Sequence, residues 1–460
     1  MKYISTRGQV APVNFTQAIM MGLATDGGLL LPEQIPHIDT TTLHSWKNLN
    51  FQELAANIIT PYIDTEISSL ELKTLIQSSY TKFTHPEITP LIQTGDLKIL
   101  ELFHGPTAAF KDIALQFLGN LFELLLKRSG QHLNILGATS GDTGSAAIYG
   151  VRGKENINIF ILHPLGRVSP MQERQMTTVL DPNVYNIAIR GTFDDAQKIV
   201  KTIFNDLEFK QRYHLGAINS INWARVLAQI VYYFYAWIKF SNGNPDKFVN
   251  FAVPTGNFGD IFAGYIAKRM GLPISKLILA TNQNDILTRF VHSGVYQIET
   301  VRPSISPSMD IQVASNFERY LYYLVGEEPK QVHNLLQELD NTQRLQITKA
   351  QHVQVNQEFA AVAVTEKATL EQMKATYEQT GYILDPHTAV GVKAAQAYSD
   401  TICLATAHPA KFNTAVQQAL GRAASIPQNL QGLLKKETRC VTLDADIGVI
   451  KNYLYSKLEP

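Results

Sequence analysis

The stretch Leu133-Asn134-Ile135-Leu136-Gly137-Ala138-Thr139-Ser140-Gly141-Asp142-Thr143-Gly144-Ser145-Ala146-Ala147 runs from a short apolar segment through small residues into a helical pattern. A brief apolar run bounded by glycine has the composition of a buried strand. A strand that passes through a glycine-rich turn straight into a helix is the repeating unit of a parallel sheet covered by helices. The small residues of the turn let backbone N–H groups crowd toward a ligand at the helix N-terminus, where unpaired donors and the helix dipole favour an anion. The loop lacks the lysine of a Walker A loop and the spacing of a dinucleotide fingerprint, which disfavours ATP and NAD. A plain strand-to-helix turn, capped by Asp142 or Thr143, is the competing account.

The same alternation extends outward. From Leu97 onward it predicts strands over 97–102, 133–137, 157–162, 184–189, 248–253, 277–280 and 402–405, with helices between them. Before that point, residues 1–95 mix short helical patterns with turns such as Leu31-Pro32, Thr60-Pro61 and Thr89-Pro90, and predict a small, mostly helical module. Residues 301–310 contain proline without periodicity and predict a long ordered loop, whereas 331–381 are polar with a helical period and predict a peripheral helical insertion. No internal repeat interrupts this plan.

Composition narrows the function classes. A chain of 460 residues, 45% of them apolar, can bury the cores of two or three domains. Lysine plus arginine and aspartate plus glutamate both number 40, so no basic field exists to gather nucleic acid or an anionic membrane. Any anion must be held by a few placed groups. Two cysteines, Cys403 and Cys440, argue for a reducing, cytoplasmic setting and against a disulfide or zinc framework, and no histidine pair has metal-ligand spacing. The N-terminal residues carry no signal-peptide core, and the most apolar segment, 226–238, is broken by Gln229 and flanked by Arg225 and Lys239, as befits a buried helix.

Chemistry is concentrated in four further stretches. In Phe103-His104-Gly105-Pro106-Thr107-Ala108-Ala109-Phe110-Lys111-Asp112, a tight turn delivers Lys111 to the mouth of a helix. There the helix dipole and a partly apolar wall lower the ammonium pKa and prepare a nucleophilic or Schiff-base amine. A second anion loop, Pro254-Thr255-Gly256-Asn257-Phe258-Gly259-Asp260, follows the predicted strand 248–253. Two such loops imply a ligand with two anionic groups, or two anionic ligands. Between them, Asn219-Ser220-Ile221-Asn222-Trp223-Ala224-Arg225 ends on a guanidinium able to hold a phosphate or carboxylate. Finally, Thr406 closes a strand in Thr406-Ala407-His408-Pro409-Ala410-Lys411-Phe412, where a hydroxyl can touch a ligand in the crevice. His104, His387 and His408 read first as structural hydrogen-bonding residues, and Lys411 is left open.

These stretches together resemble the threonine synthase family, as do Tyr3-Ile4-Ser5-Thr6-Arg7-Gly8, Gly22-Leu23-Ala24-Thr25-Asp26-Gly27-Gly28-Leu29 and Ser306-Pro307-Ser308-Met309-Asp310-Ile311. The resemblance implies pyridoxal 5'-phosphate on an α/β fold of two open parallel-sheet lobes, fold type II or tryptophan synthase β-like, with a small mostly helical N-terminal module. The implied division is 1–95 for that module, 96–133 with 226–460 for the large cofactor-binding lobe, and 134–225 for the small lobe. Lys111 would be the Schiff-base lysine and proton carrier. Gly256, Asn257, Phe258 and Gly259 would hold the cofactor phosphate through backbone amides, Asp260 would be a further residue of the cofactor loop, and Thr406 would meet the pyridine nitrogen. Ser140, Gly141, Asp142 and Thr143 would receive a substrate carboxylate, and Asn219, Ser220 and Arg225 a substrate phosphate. The implied reaction converts O-phospho-L-homoserine and water to L-threonine and phosphate in a monomer or homodimer. A phospho-lyase giving 2-oxobutyrate, and a non-catalytic binding protein on the same fold, are the alternatives.

Overall fold

The computed structural model describes residues 1–459, and Pro460, the last residue of the expected large lobe, lies outside them. At the N-terminus β1 (Tyr3–Ser5) and β2 (Leu30–Pro32) pair antiparallel. Helices Phe51–Ile63 and Ser69–Tyr80 follow, each opened by a capping box, Asn50 with Glu53 and Ser68 with Glu71. Their apolar faces, including Phe51, Ile58, Leu72 and Tyr80, are buried in the main core. The expected mostly helical module is therefore present.

Two open sheets carry the rest. β3 (Leu91–Thr94), β4 (Leu97–Glu101), β9 (Val249–Pro254), β10 (Ile274–Thr281), β13 (Phe359–Ala363) and β14 (Thr401–Ala405) form a six-stranded sheet in the order β13-β10-β9-β14-β4-β3. All its neighbours are parallel except β3 and β4, which form a hairpin across Gly95-Asp96, with Gly95 at φ 58° as such a two-residue turn requires. β5 (Leu133–Ala138), β6 (Ile157–Pro164), β7 (Val184–Arg190), β8 (Leu215–Gly216) and β15 (Val441–Asp444) form an all-parallel five-stranded sheet in the order β15-β7-β6-β5-β8. A small antiparallel pair, β11 (Val295–Gln297) and β12 (Arg344–Gln346), completes the strands. All seven predicted strands are present.

Helix Trp223–Ser241, packed among helices Lys111–Ser129, Gly259–Arg269 and Phe51–Ile63, is apolar on nearly every side and buried along almost its whole length, as an all-round apolar pattern demands. Its burial bears out the reading of 226–238 as a core helix. Residues 301–310 form the expected ordered loop, pinned because the Asp310 carboxylate accepts hydrogen bonds from Asn282, Asn284 and Ser304.

Three segments differ from the sequence reading. Residues 331–381 are helical in part, but they also contain β13, an edge strand paired parallel to β10. Its five residues, Phe-Ala-Ala-Val-Ala, are too short to register beside polar helical flanks. β3 falls within the range expected for the N-terminal module yet joins the six-stranded sheet. β15 and helix Ile447–Leu458 fall within the range expected for the large lobe. They add instead to the five-stranded sheet, where Ile450 and Leu454 are buried against Ile187, Ile199 and Ile203.

Candidate active site

Lys111 is the first residue of helix Lys111–Ser129. Its position is set by the turn before it. The Asp112 carboxylate accepts from the Thr107 N–H at 2.8 Å and the Thr107 hydroxyl at 2.7 Å, folding the Gly105-Pro106-Thr107 turn onto the helix start. Gly105 is required there, because a Cβ would lie 2.4 Å from that of Asp112. The Phe110 N–H then donates to the Thr406 carbonyl at 2.8 Å, which ties Lys111 to the carboxyl end of β14. Ala108, in the same turn, takes φ 56°, a conformation rare outside glycine. Burial pulls the Lys111 pKa down to about 8; Asp142 opposes the shift, and the positive charges of Arg225 and Lys411 add to it. The direction matches the lowered pKa expected of Lys111, with burial first and two cations second among its causes.

The first glycine-rich loop joins β5 to helix Asp142–Val151. Within it the Thr139 hydroxyl accepts from the N–H groups of Gly141 and Gly144, at 3.0 and 2.9 Å. The N–H groups of Ser140, Asp142 and Thr143 have no partner among the described residues. Gly141 adopts φ 150° and a Cβ would meet the Gln172 amide at 2.5 Å, so only glycine fits. Asp142 turns its carboxylate inward: one oxygen accepts from Lys411 Nζ at 2.8 Å and from Gln172 Nε2 at 2.7 Å. Burial pushes the Asp142 pKa up, but the charges of Lys411 and Lys111 outweigh it and hold the group well below the usual carboxylate range. Lys411, unassigned by sequence, is buried and also donates to the Thr107 carbonyl at 2.8 Å. It is the link that draws the ends of β5 and β14 together, and nothing in the local pattern of a lysine after His408-Pro409 announced the partner.

The second loop joins β9 to helix Gly259–Arg269. From Gly256 to Asp260, no backbone N–H has a partner among the described residues. Phe258 sits at φ 63°, and its ring packs against Phe317, Tyr320 and Phe359, so the side chain belongs to the core while its backbone lines the loop. A Cβ on Gly256 would lie 2.5 Å from the Ser308 carbonyl oxygen. Asp260 is buried, its carboxylate accepting from the hydroxyls of Tyr232 and Tyr233, and burial lifts its pKa to about 6. One carboxylate oxygen, Oδ1, is thereby taken up by the central helix, while Oδ2 is buried without a partner among the described residues and the N–H is likewise free.

In the third stretch, Asn222 caps the central helix by accepting from the Ala224 N–H at 3.0 Å and donates to the Ile19 carbonyl, a structural role. Asn219 is exposed, and Ser220 shares a hydrogen bond with Ser315 at 3.0 Å. Arg225 is 4% exposed, yet its Nε and Nη1 are buried without a partner among the described residues. Burial pulls its pKa down to about 10. Unmet donors on a buried cation are costly, and an anion is what would satisfy them. Thr406, 6% exposed, stands at the end of β14 as expected. The histidines serve structure: His104 pairs with Glu101 at 2.7 Å, His387 with Asp385 at 2.9 Å, and burial lowers His408 to about 4.

Among the described residues there is no group of three or more potential metal ligands and no helix long and apolar enough to cross a membrane. What is assembled is an amine with a lowered pKa, a hydroxyl at a strand end, one bank of five free amides, a second bank of three, and an unsatisfied guanidinium. The donor set fits a phosphorylated aldehyde held at Lys111 with its phosphate on one bank of amides, and leaves a second bank and the Arg225 donors unmet.

Comparison with known proteins agrees. Residues 2–80 match the family described as threonine synthase N terminus, residues 84–348 the family of pyridoxal-phosphate dependent enzymes, and residues 388–454 the threonine synthase C-terminal family. The chain is 46% identical to threonine synthase of Pseudomonas aeruginosa and 48% identical to that of Saccharomyces cerevisiae, over 99% of this chain and 98% of each relative. The solved structure of pyridoxal-phosphate-bound threonine synthase from Brucella melitensis superposes with a TM-score of 0.97 at 43% identity, covering 100% of both chains. A threonine deaminase from Solanum lycopersicum, at 14% identity and a TM-score of 0.51 over 86% of this chain and 98% of its own, shares the fold alone. The fold is that of the type II pyridoxal-phosphate enzymes, and pyridoxal 5'-phosphate is the cofactor. On likeness running through the whole length, from β1 to the C-terminal helix, the chain belongs to the threonine synthase family.

Proposed function

We infer that this chain is a lyase that converts O-phospho-L-homoserine and water to L-threonine and phosphate. The observation that carries this reading is the buried, unpartnered guanidinium of Arg225, whose charge is felt at Lys111. The loop from Gly256 to Asp260 already supplies amides for a cofactor phosphate, so a second buried anion receptor calls for a substrate that bears a phosphate of its own.

Each residue then has a task. The N–H groups from Gly256 through Asp260 would hold the cofactor phosphate, with Asn257 and Phe258 contributing backbone only, and the Thr406 hydroxyl would partner the ring nitrogen. The amides of Ser140, Asp142 and Thr143, set by the conformation of Gly141, take the substrate carboxylate. The Asp142 side chain is the counter-ion of Lys411 and leaves carboxylate binding to its backbone. Arg225, with Asn219 and Ser220 at the same turn, takes the substrate phosphate and holds it as it departs from Cγ. Bound pyridoxal phosphate supplies a store for the charge left when protons leave Cα and Cβ. Lys111 Nζ, whose lowered pKa of about 8 gives it a usable neutral fraction near physiological pH, carries those protons between carbons. Burial of the amine keeps bulk water from competing for them.

Product analysis tests the reading. With pyridoxal phosphate and O-phospho-L-homoserine the expected outcome is threonine and phosphate in equal amounts. Formation of 2-oxobutyrate without threonine would establish the phospho-lyase instead. Two free cysteines, Cys403 and Cys440, support a cytoplasmic setting, and a site built from one chain supports activity as a monomer or as a homodimer.

A further inference from the structure

The cofactor-phosphate loop and the substrate-phosphate cluster lie far apart in sequence, and one side chain touches both. Asn316 is wholly buried. Its backbone N–H and its Nδ2 donate to the Asn257 carbonyl at 3.1 and 3.2 Å, and the same Nδ2 donates to the Ser220 carbonyl at 3.3 Å. The absence of a side chain on Gly259 permits this approach, since a Cβ there would stand 3.2 Å from Nδ2.

The orientation of the amide is not free. Its Oδ1 accepts from Arg319 Nη1 at 2.5 Å, and a guanidinium can only donate, so Nδ2 must face the two carbonyls. Arg319 is itself fixed without a carboxylate: Nε and Nη2 donate to the Leu30 carbonyl at 3.1 and 2.9 Å, and Nη2 to the Ile221 carbonyl at 2.6 Å. Anchoring a carbonyl has a consequence on the far side of its peptide. In a planar trans unit the C=O and the following N–H point in opposite directions, so holding the Asn257 oxygen against Asn316 aims the Phe258 N–H away from it, into the loop.

We propose that Asn316, oriented by Arg319, is a positioning residue that sets the spacing between the cofactor-phosphate loop and the substrate-phosphate cluster. The inference rests on the roles given above to Gly256–Asp260 and to Ser220 with Arg225. It makes the N-terminal module, through the Leu30 carbonyl, part of the frame that aligns the two phosphates.

Asn316→Asp tests it, because the variant keeps the acceptor for Arg319 but turns an oxygen toward two carbonyls. Asn316→Ala removes the donors without adding charge. Binding of pyridoxal phosphate and of pyridoxal, which lacks the phosphate, is titrated into cofactor-free protein, wild type and variants alike. The expected result is a loss of about tenfold or more in affinity for pyridoxal phosphate, with pyridoxal changed by less than about twofold. KM for O-phospho-L-homoserine should rise about fivefold or more, while kcat at saturation stays within about threefold. An unchanged preference for the phosphorylated cofactor in both variants, or an equal loss for both cofactors, overturns the proposal. Variants that fail to fold also count against it, since Asn316 would then be a folding residue. Wild-type protein with no preference for pyridoxal phosphate would remove the reading of the loop itself, whereas a preference kept by wild type and variants alike removes only the positioning role.

Discussion

An ammonium that loses its hydration becomes easier to deprotonate, and Lys111 adds to that loss the charges of Arg225 and Lys411. The neutral amine is the reactive form, so its fraction rises with pH through about 8, whereas an exposed lysine changes near about 10.4. Capture of pyridoxal phosphate by cofactor-free protein, followed by absorbance, should therefore accelerate with pH around a midpoint near about 8. A midpoint at the value of an exposed lysine would contradict the burial argument. Lys111→Ala should abolish both covalent capture and turnover while leaving the circular dichroism spectrum and cooperative unfolding intact; residual turnover near the wild-type rate would remove Lys111 from the chemistry. Arg225→Ala removes hydrogen bonds to a charged ligand, each worth about 1.5–3 kcal/mol, and should raise KM for O-phospho-L-homoserine about tenfold or more. Cofactor affinity should be unaffected, and titration of pyridoxal phosphate checks that separation.

At the scale of elements, both glycine-rich loops obey one rule: the strand ends, the chain turns through a residue without a side chain, and the next helix begins with its amides unspent. Gly256 shows how little room the rule leaves, since a methyl group there would press on the Ser308 backbone. Gly256→Ala should shift the loop and weaken pyridoxal phosphate binding by about tenfold or more, in keeping with about 1–3 kcal/mol for overpacking against a rigid neighbour. Calorimetric titration measures it, and wild-type affinity would show that the 301–310 loop yields. The loops and the seven internal strands were legible because apolar runs of useful length and glycine-rich turns are local signals. β13 and β15 were not, because an edge strand of four or five residues is specified by the partner it finds, β10 or β7, more than by its own pattern.

Across the whole molecule, the ends of the two sheets are joined by the ion pair of Lys411 and Asp142, both of them buried. A buried pair need not add net stability, but removing one partner strands the other charge. Lys411→Met should lower unfolding free energy by about 3–5 kcal/mol in denaturant titrations, and adding Asp142→Asn should return much of the loss. If the single variant were as stable as wild type, the pair would have to be water-relaxed. This contact links the ends of β5 and β14, and Arg319, donating to the Leu30 and Ile221 carbonyls, ties the N-terminal module to the segment just before the central helix.

What the sequence alone determined was the order of the seven internal strands, the two glycine-rich strand-to-helix loops, and the residue types in the turn around Lys111, since each is encoded within a dozen or so neighbours. Tertiary structure alone decided that Lys411 neutralises Asp142, that one oxygen of Asp260 is shared by two tyrosines, that Arg225 is left with unmet donors, and that β15 joins the smaller sheet. Desolvation and Coulomb interactions act through space and depend on what the folded chain brings within a few ångströms, which no local pattern records.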